Sequence, residues 1–261
     1  MTAFEKLCAI VAQLRAPGGC PWDREQTNES LLPPLIEETY EVASAIRAGD
    51  DANLREELGD LVLLAVMHSE IAKETGRFNI DEVLEEVTAK LIRRHPHVFA
   101  ESEVRDADGV VKQWEAIKHE EKNSKGDGHY LAGLPAALPA LMRAQKAQKK
   151  VARVNFDWAH LSEVVAKVDE ELAETKEALA SGDAPAMADE IGDLLFAVVN
   201  LARKSGLDAE SALQNATDKF VSRFHRVEDE LRRGGKKLGD AKLEELDAIW
   251  NSIKKTPNSQ R

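Results

Sequence analysis

Cysteine is scarce in this 261-residue sequence: only Cys8 and Cys20 occur. Two such residues make no disulfide framework and no four-ligand zinc site. Long apolar runs are missing as well, since no eighteen consecutive residues are apolar, and a membrane-spanning helix is not expected. The opening MTAFEKLCAIVAQLRAPGG has neither the charged start nor the small-residue cleavage site of an export signal. A soluble, cytoplasmic protein is the expectation. Aromatic residues amount to 5%, and period-two alternation is nearly absent, which leaves little from which to build strands. Positive charge is in deficit: 35 Lys and Arg stand against 47 Asp and Glu, a formal net charge of −12. That argues against direct binding to nucleic acid or to an anionic membrane. A divalent cation can still bridge an acidic protein to a phosphorylated substrate, so nucleotides stay in play.

What is abundant is Ala, Leu, Glu and Lys, all good helix formers. Apolar residues recur at helical spacing in segments 35–48, 54–75, 80–94, 141–152, 162–180, 185–204, 208–232 and 241–255. The pattern predicts an all-α protein. Between two sets of helices, EEKNSKGDGHYLAGLPAALPAL (120–141) gathers Gly, Pro, Ser and Asn, as a linker does. The expected organisation is one domain over 1–120, a linker over 121–140 and a second domain over 141–261.

The two halves repeat each other. EETYE (37–41) returns as EELAE (170–174), and Glu57-x-x-Asp60 returns as Glu190-x-x-Asp193, both at an offset of 133. Lys90 and Arg94 return as Lys219 and Arg223. Trp114, Ile117 and Lys118 return as Trp250, Ile253 and Lys254 in a shared W-x-x-I-K pattern. The later offsets drift to 129 and 136, as duplicated domains with altered loops would.

Helix geometry gives the repeated acids a common place. Residues three apart lie about 60° apart and share a face, so Glu171 projects with Glu174 and Glu190 with Asp193. The SGDAP turn (181–185) offers Gly182 as a C-cap, Asp183 as the start of the next helix and Pro185 for its first turn. Helices joined so closely are antiparallel neighbours. Glu174 and Glu190 are each eight residues from Gly182, while Glu171 and Asp193 are each eleven away. About Gly49 the same holds for Glu41 with Glu57 and for Glu38 with Asp60. Two levels of opposed carboxylates result, roughly 4.5 Å apart along the axis. Clustered carboxylates repel unless a cation or protons neutralise them. Oxygen ligands without His or Cys select Mg²⁺ or Mn²⁺ over zinc and leave positions for water and substrate phosphates.

A single acidic pair on a helix is usually a solvated face, and DLVLLAV and DLLFAVV are core-forming runs beside it. Two copies, equal spacing and opposition across a turn weigh against that reading. E-E-x-x-E followed sixteen residues later by E-x-x-D, in tandem, resembles the MazG family of the all-α NTP pyrophosphatase superfamily. CPWDREQTNESL (20–31) is similar to the family's N-terminal signature, and the likeness extends over almost the whole chain. The resemblance implies two tandem helical-bundle domains and hydrolysis of an NTP or dNTP to NMP and pyrophosphate. It also implies magnesium on the acidic cluster, a homodimer, broad specificity and a housecleaning role.

Carried over residue by residue, the resemblance makes Glu171, Glu174, Glu190 and Asp193 metal ligands. Glu38, Glu41, Glu57 and Asp60 are their counterparts. It places Lys219 and Arg223, four apart in DKFVSRFHRVE, at the phosphates, the alternative being a pair of surface cations. Trp250 looks like a nucleotide-contacting residue stacking on the base, or else a tryptophan packing the last helix. Glu170, at the edge of the acidic face, either positions or deprotonates the attacking water or is a solvated acid. Lys167 lies one turn before Glu171, where it pairs with that acid or reaches a phosphate. At the equivalent place the first half has Pro34, in LLPPLIEE. RRHPHVF also interrupts the first half at Pro96, where the second continues as helix. The second half is therefore expected to be the better catalyst. Lesser signals carry less: His95-Pro96-His97 lacks a third ligand, Cys20 has no partner base, and RAQKAQKK (143–150) reads as a solvated helix. The competing reading is a helical regulatory protein that binds nucleotide or metal without turnover.

Overall fold

The computed structural model describes residues 1–100, 106–123 and 129–255. It divides into two compact units, Met1–Gly126 and Asp127–Arg261. Among the described residues there are helices and turns but no strand, so the protein is all-α. Residues 124–128 of the expected linker lie outside the described residues.

The first unit holds α1 (Ala3–Arg15), α2 (Pro21–Glu25), α3 (Leu32–Ala48), α4 (Asp51–Glu74), α5 (Ile80–Arg94), α6 (Pro96–Phe99) and α7 (Ala107–Asn123). Periodicity alone did not single out α1 or α7. The start of α1 is written in Thr2-x-x-Glu5, a capping box whose two hydrogen bonds measure 2.7 and 3.2 Å. Val11, Leu31, Leu64, Val66, Met67 and Ile71 form the core on which α1 meets α4. The CPWDRE segment is held by Arg15, buried at 8% exposure, which grips the Glu74 carboxylate with two bonds of 2.7 Å. The same guanidinium donates to the carbonyls of Asp23 and Gln26. A fork of this kind seals the segment to the bundle, because arginine donates in a plane that matches a carboxylate.

The second unit holds α8 (Ala140–Ala152), α9 (Leu161–Ser181), α10 (Ala184–Lys204), α11 (Ala209–Arg233), a 3₁₀ turn (Leu238–Asp240) and α12 (Leu243–Lys255). Two buried glutamines on α8 knit it together. Gln145 donates to the Leu207 carbonyl at 2.9 Å and accepts from the Ala209 amide at 2.8 Å, across the turn from α10 to α11. Gln148 donates to the Phe196 carbonyl at 2.9 Å. At the far end Val227, Leu231 and Ile253 form a core with Leu246, Ile249 and Trp250.

Both acidic hairpins turn as their sequences require. Gly49 (φ 67°) and Gly182 (φ 73°) end α3 and α9 in the left-handed conformation. Asp50 and Asp183 then cap α4 and α10 through their side chains. Each hairpin packs its two helices side by side.

Candidate active site

In the second unit, carboxylate oxygens of Glu171, Glu174 and Glu190 lie within 4.8 Å of one another. In the first unit Glu38, Glu41 and Glu57 do the same. One member of each triad is buried, Glu171 at 6% exposure and Glu57 at 8%. Each triad is thus a cup with a desolvated floor and a wet rim. Thr175 on α9 donates to the carbonyls of Glu171 (2.7 Å) and Glu190 (3.3 Å), which ties the helices at this level.

The expected fourth members stand apart. Asp193, which symmetry about Gly182 puts opposite Glu171, is exposed and outside the second triad. Asp60 is half-buried and outside the first. The reason is reach: Glu174 and Glu41, also three residues on from a triad member, belong to the triads, whereas aspartate is one methylene shorter than glutamate.

The donor set fits a hard divalent cation. All ligand atoms are carboxylate oxygens, and a separation of at most 4.8 Å is close to the span across an octahedral Mg²⁺, about 4.2 Å from bonds of about 2.1 Å. Small side-chain movements would close the difference.

Electrostatics separates the two cups. In the first, burial and then the charges of Glu41 and Glu38 push the Glu57 carboxyl up to about 7. Burial also raises Glu38, with Glu41 and Asp60 adding to it. In the second, Lys167 reaches the cluster and contacts Glu170 at 2.8 Å and Glu171 at 2.7 Å. Hydrogen bonds to Glu170 and then Glu171 hold its ammonium above the usual lysine range. Glu174 is raised by desolvation, then by Glu171 and Glu190, and Lys167 pulls it the other way. Pro34 occupies the position equivalent to Lys167 and forms part of the first turn of α3.

The expected phosphate cations differ as sharply. Lys219 is exposed and Arg223 half-buried on α11, and among the described residues neither enters an ion pair, hydrogen bond or ring contact. Arg94, the counterpart of Arg223, lies 5.5 Å from the Trp114 ring centre and bonds Glu121 with two nitrogens, one of them at 3.0 Å. Arg93 bonds the other oxygen of Glu121 at 2.6 Å. Two arginines therefore hold the Glu121 carboxyl down to about 2. Sequence reasoning did not find Glu121. The acid is 27 residues from Arg94 in sequence, and an acid within EEKN carries no local sign of its partner.

Trp250 is half-buried, 5.2 Å between ring centres from Phe220 at 50°, with the Lys254 ammonium 5.6 Å from its ring centre. The repeated W-x-x-I-K pattern is thus a lysine laid over a tryptophan one turn earlier, since Lys118 sits 4.4 Å from Trp114 in the same way. Lys219, Arg223 and Trp250 belong to α11 and α12, whereas the carboxylate cup belongs to α9 and α10.

Tandem helical hairpins, each carrying a buried-floored cup of glutamates, define a class of all-α proteins that gather carboxylates between two antiparallel helices. The model of the MazG nucleotide pyrophosphohydrolase domain matches residues 26–99 and 160–227, one match over each acidic hairpin. The nucleoside triphosphate pyrophosphohydrolase of Escherichia coli K12 is 44% identical over 260 residues, covering 98% of both chains. The Thermotoga maritima nucleoside triphosphate pyrophosphohydrolase/pyrophosphatase MazG is 44% identical over 252 residues, covering 96% of this chain and 95% of its own. The uncharacterized protein YabN of Bacillus subtilis is 41% identical over 256 residues, 97% of this chain but 52% of that protein. The chain belongs to the MazG family.

Proposed function

We propose that the chain is a divalent-cation-dependent nucleoside triphosphate pyrophosphohydrolase, releasing NMP and pyrophosphate, and that the second unit does the work. The observation that carries this reading is the cup of Glu171, Glu174 and Glu190 with Lys167 at its edge. Similarity over nearly the full length to relatives named for this activity supports it. Glu171, Glu174 and Glu190 would hold Mg²⁺, or Mn²⁺, with Asp193 one turn on completing the set from the rim. Bound there, the cation would polarise phosphoryl oxygens and offset charge on the leaving pyrophosphate.

The chain's own residues supply the rest. Glu170, already beside Lys167, orients the attacking water and takes its proton as the oxygen adds to the α phosphorus. The bond from that phosphorus to the bridging oxygen breaks, and pyrophosphate departs with the electron pair. Lys167, at the edge of the cup beside Glu170 and Glu171, offers its ammonium to a phosphate oxygen. Lys219 and Arg223 meet the remaining phosphate charge, and Trp250 flanks the nucleotide. In the first unit Glu38, Glu41, Glu57 and Asp60 keep the ligand pattern. Pro34 in place of Lys167 and an Arg94 tied to Glu121 leave that unit the weaker catalyst.

The wider reading follows from family membership. Substrates are NTPs and dNTPs of broad base identity, ATP included, and the role is to clear unwanted nucleotides in the cytoplasm, where they form. Direct nucleic-acid binding is not part of this reading, in keeping with the net charge of −12. The working form is a homodimer. Val165, Leu172 and Leu179 at seven-residue spacing on α9, with Ile191, Leu195 and Val198 on α10, expose an apolar face beside the cup.

Product analysis with an NTP panel tests the whole. NMP and pyrophosphate are expected with Mg²⁺, and no turnover in EDTA. Glu171→Ala should lower kcat by about a hundredfold or more, the scale of losing one charge-stabilising group, while Glu38→Ala leaves most activity. The opposite pattern, or release of NDP and phosphate, would overturn the assignment.

A further inference from the structure

Beyond the two cups, the units differ in what they set against solvent. The second contains a cavity of about 480 Å³ walled in part by Phe156, Trp158, Phe196 and Gln148. In the first, the positions 133 before Phe196 and Asn200 are Leu63 and Met67, which pack into the core. What the first unit has instead is a cluster of charge between α5 and α7.

At its centre one carboxylate takes three donors. Arg94 aims two nitrogens at one oxygen of Glu121, at 3.0 and 2.5 Å, and Arg93 aims one at the other oxygen, at 2.6 Å. The same Arg94 lies 5.5 Å from the Trp114 ring centre, and the Lys118 ammonium lies 4.4 Å from it. Arg93, Arg94 and Lys118 thus bring more charge than Glu121 returns. Lys90, one turn before Arg94, enters no ion pair or hydrogen bond among the described residues. Guanidinium groups converging on separate oxygens are the donor set that proteins present to phosphate.

The repeat shows which parts of this cluster were added. At the offset of 129 that relates Lys90 and Arg94 to Lys219 and Arg223, Arg93 corresponds to Ser222. At the offset of 136 that relates the two W-x-x-I-K patterns, Glu121 corresponds to Pro257. The second half therefore lacks both the extra arginine and the acid. An acid that fills a site and a donor that holds it there would differ together in this way. An ion pair that served only to fasten α7 could have used Arg93 alone. This one engages the arginine whose counterpart is expected at the phosphates.

The clamp is open to solution. The Arg93 side chain is 53% exposed and that of Glu121 21%, so an anion can approach without the unit unfolding. Ion pairs with an exposed partner are held weakly. What favours Glu121 is its tether, since α7 keeps the carboxylate beside the arginines at a high effective concentration.

We propose that Arg93, Arg94 and Lys118 form a polyphosphate-binding site on the first unit, which Glu121 occupies as an internal stand-in and yields to a chain of phosphates. Only the choice of phosphate rests on the hydrolytic reading, through the role given there to Lys219 and Arg223. A polyphosphate suits the cluster better than a compact anion, because its charge is spread along a length that meets several of these cations at once. The contact is autoinhibitory. The ligand's apparent affinity falls by the fraction of time that the carboxylate is in place, so the site stays empty until polyphosphate is abundant.

Calorimetry with inorganic pyrophosphate, in EDTA and on the full chain, tests this. Lys219→Ala with Arg223→Ala first removes the phosphate cations of the second unit. Added to that pair, Glu121→Gln should tighten pyrophosphate binding about tenfold or more, and Arg94→Ala on top should abolish the gain. Sulfate should gain less than pyrophosphate. The proposal is overturned if Glu121→Gln brings no gain in a chain that still unfolds cooperatively, if the gain survives Arg94→Ala, or if sulfate gains as much. Should the glutamine variant fail to fold, amide exchange on the unaltered chain decides. Pyrophosphate at roughly tens of millimolar, above the effective concentration of the tethered acid, should speed exchange in the last turn of α7 as Glu121 lets go. The comparison is sodium chloride at equal ionic strength, and unchanged or slower exchange overturns the proposal. No turnover is read, so a chain that hydrolyses no triphosphate can still pass, and failure here leaves the chemistry of the second unit untouched.

Discussion

Glu57 and Glu171 are the buried members of the two carboxylate triads, one on the second helix of its hairpin and the other on the first, and their surroundings differ. Glu171 has Lys167 at 2.7 Å, whereas burial and then the neighbouring Glu41 and Glu38 push Glu57 up to about 7, from an ordinary value of 4.5. A folded value above the unfolded one means that the fold favours the protonated acid. That stabilisation is complete below about 4.5 and is lost as pH rises through about 7. In EDTA, the first unit should therefore weaken between these limits. Glu57→Gln, which mimics the protonated form, should match wild type near pH 5 and exceed it near pH 8 in chemical denaturation. Parallel pH profiles for the two proteins would contradict the shift. Glu121 runs the other way: held down to about 2 by Arg94 and Arg93, it stabilises above about 4.5 and stops doing so as pH falls toward 2. Residue identities alone had suggested the Lys167 and Pro34 contrast. The capture of Arg94 was hidden, because it depends on how α7 returns against α5.

At the scale of elements, the helical hairpin was the most legible object in the sequence. Gly49-Asp50 and Gly182-Asp183 announced a left-handed stop followed by a capped start, and the turns form that way. The backbone at both glycines is strained for any other residue, although a Cβ would meet nothing within 4 Å. Gly182→Ala should then cost about 1–2 kcal/mol, the left-handed penalty alone, and Gly182→Asn should cost less. Thermal unfolding would show the difference, and an alanine as stable as wild type would deny the strain. Legibility fell where the signal was three-dimensional. Helix spacing placed four acids per hairpin, and three of them meet, since spacing sets angle but not reach. Phe156 and Trp158 lie in a loop, and no periodicity connects them to Phe196 or Gln148.

For the whole molecule, duplication allowed one sequence plan to diverge. The second copy has Lys167, an Arg223 without an ion partner among the described residues, and an aromatic cavity. The first has Pro34, an arginine held by Glu121, and Leu63 and Met67 where the second has Phe196 and Asn200. The proposed homodimer gives this scale its own prediction. A charge placed in the exposed apolar face, Leu195→Glu, should halve the mass seen by light scattering at low protein concentration. A monomeric wild type, or a variant that stays dimeric, would count against that face as the interface.

Gln145 sets one further condition on how the second unit comes apart. Its amide spans the turn between α10 and α11, accepting from Ala209 and donating to Leu207. The start of α11 is thereby fastened by a residue more than sixty positions earlier. Its first amide cannot exchange with solvent by local fraying; α8 must let go first. In deuterated water the Ala209 amide should outlast those at the capped starts of α4 and α10. Gln145→Ala should bring it down to their rate.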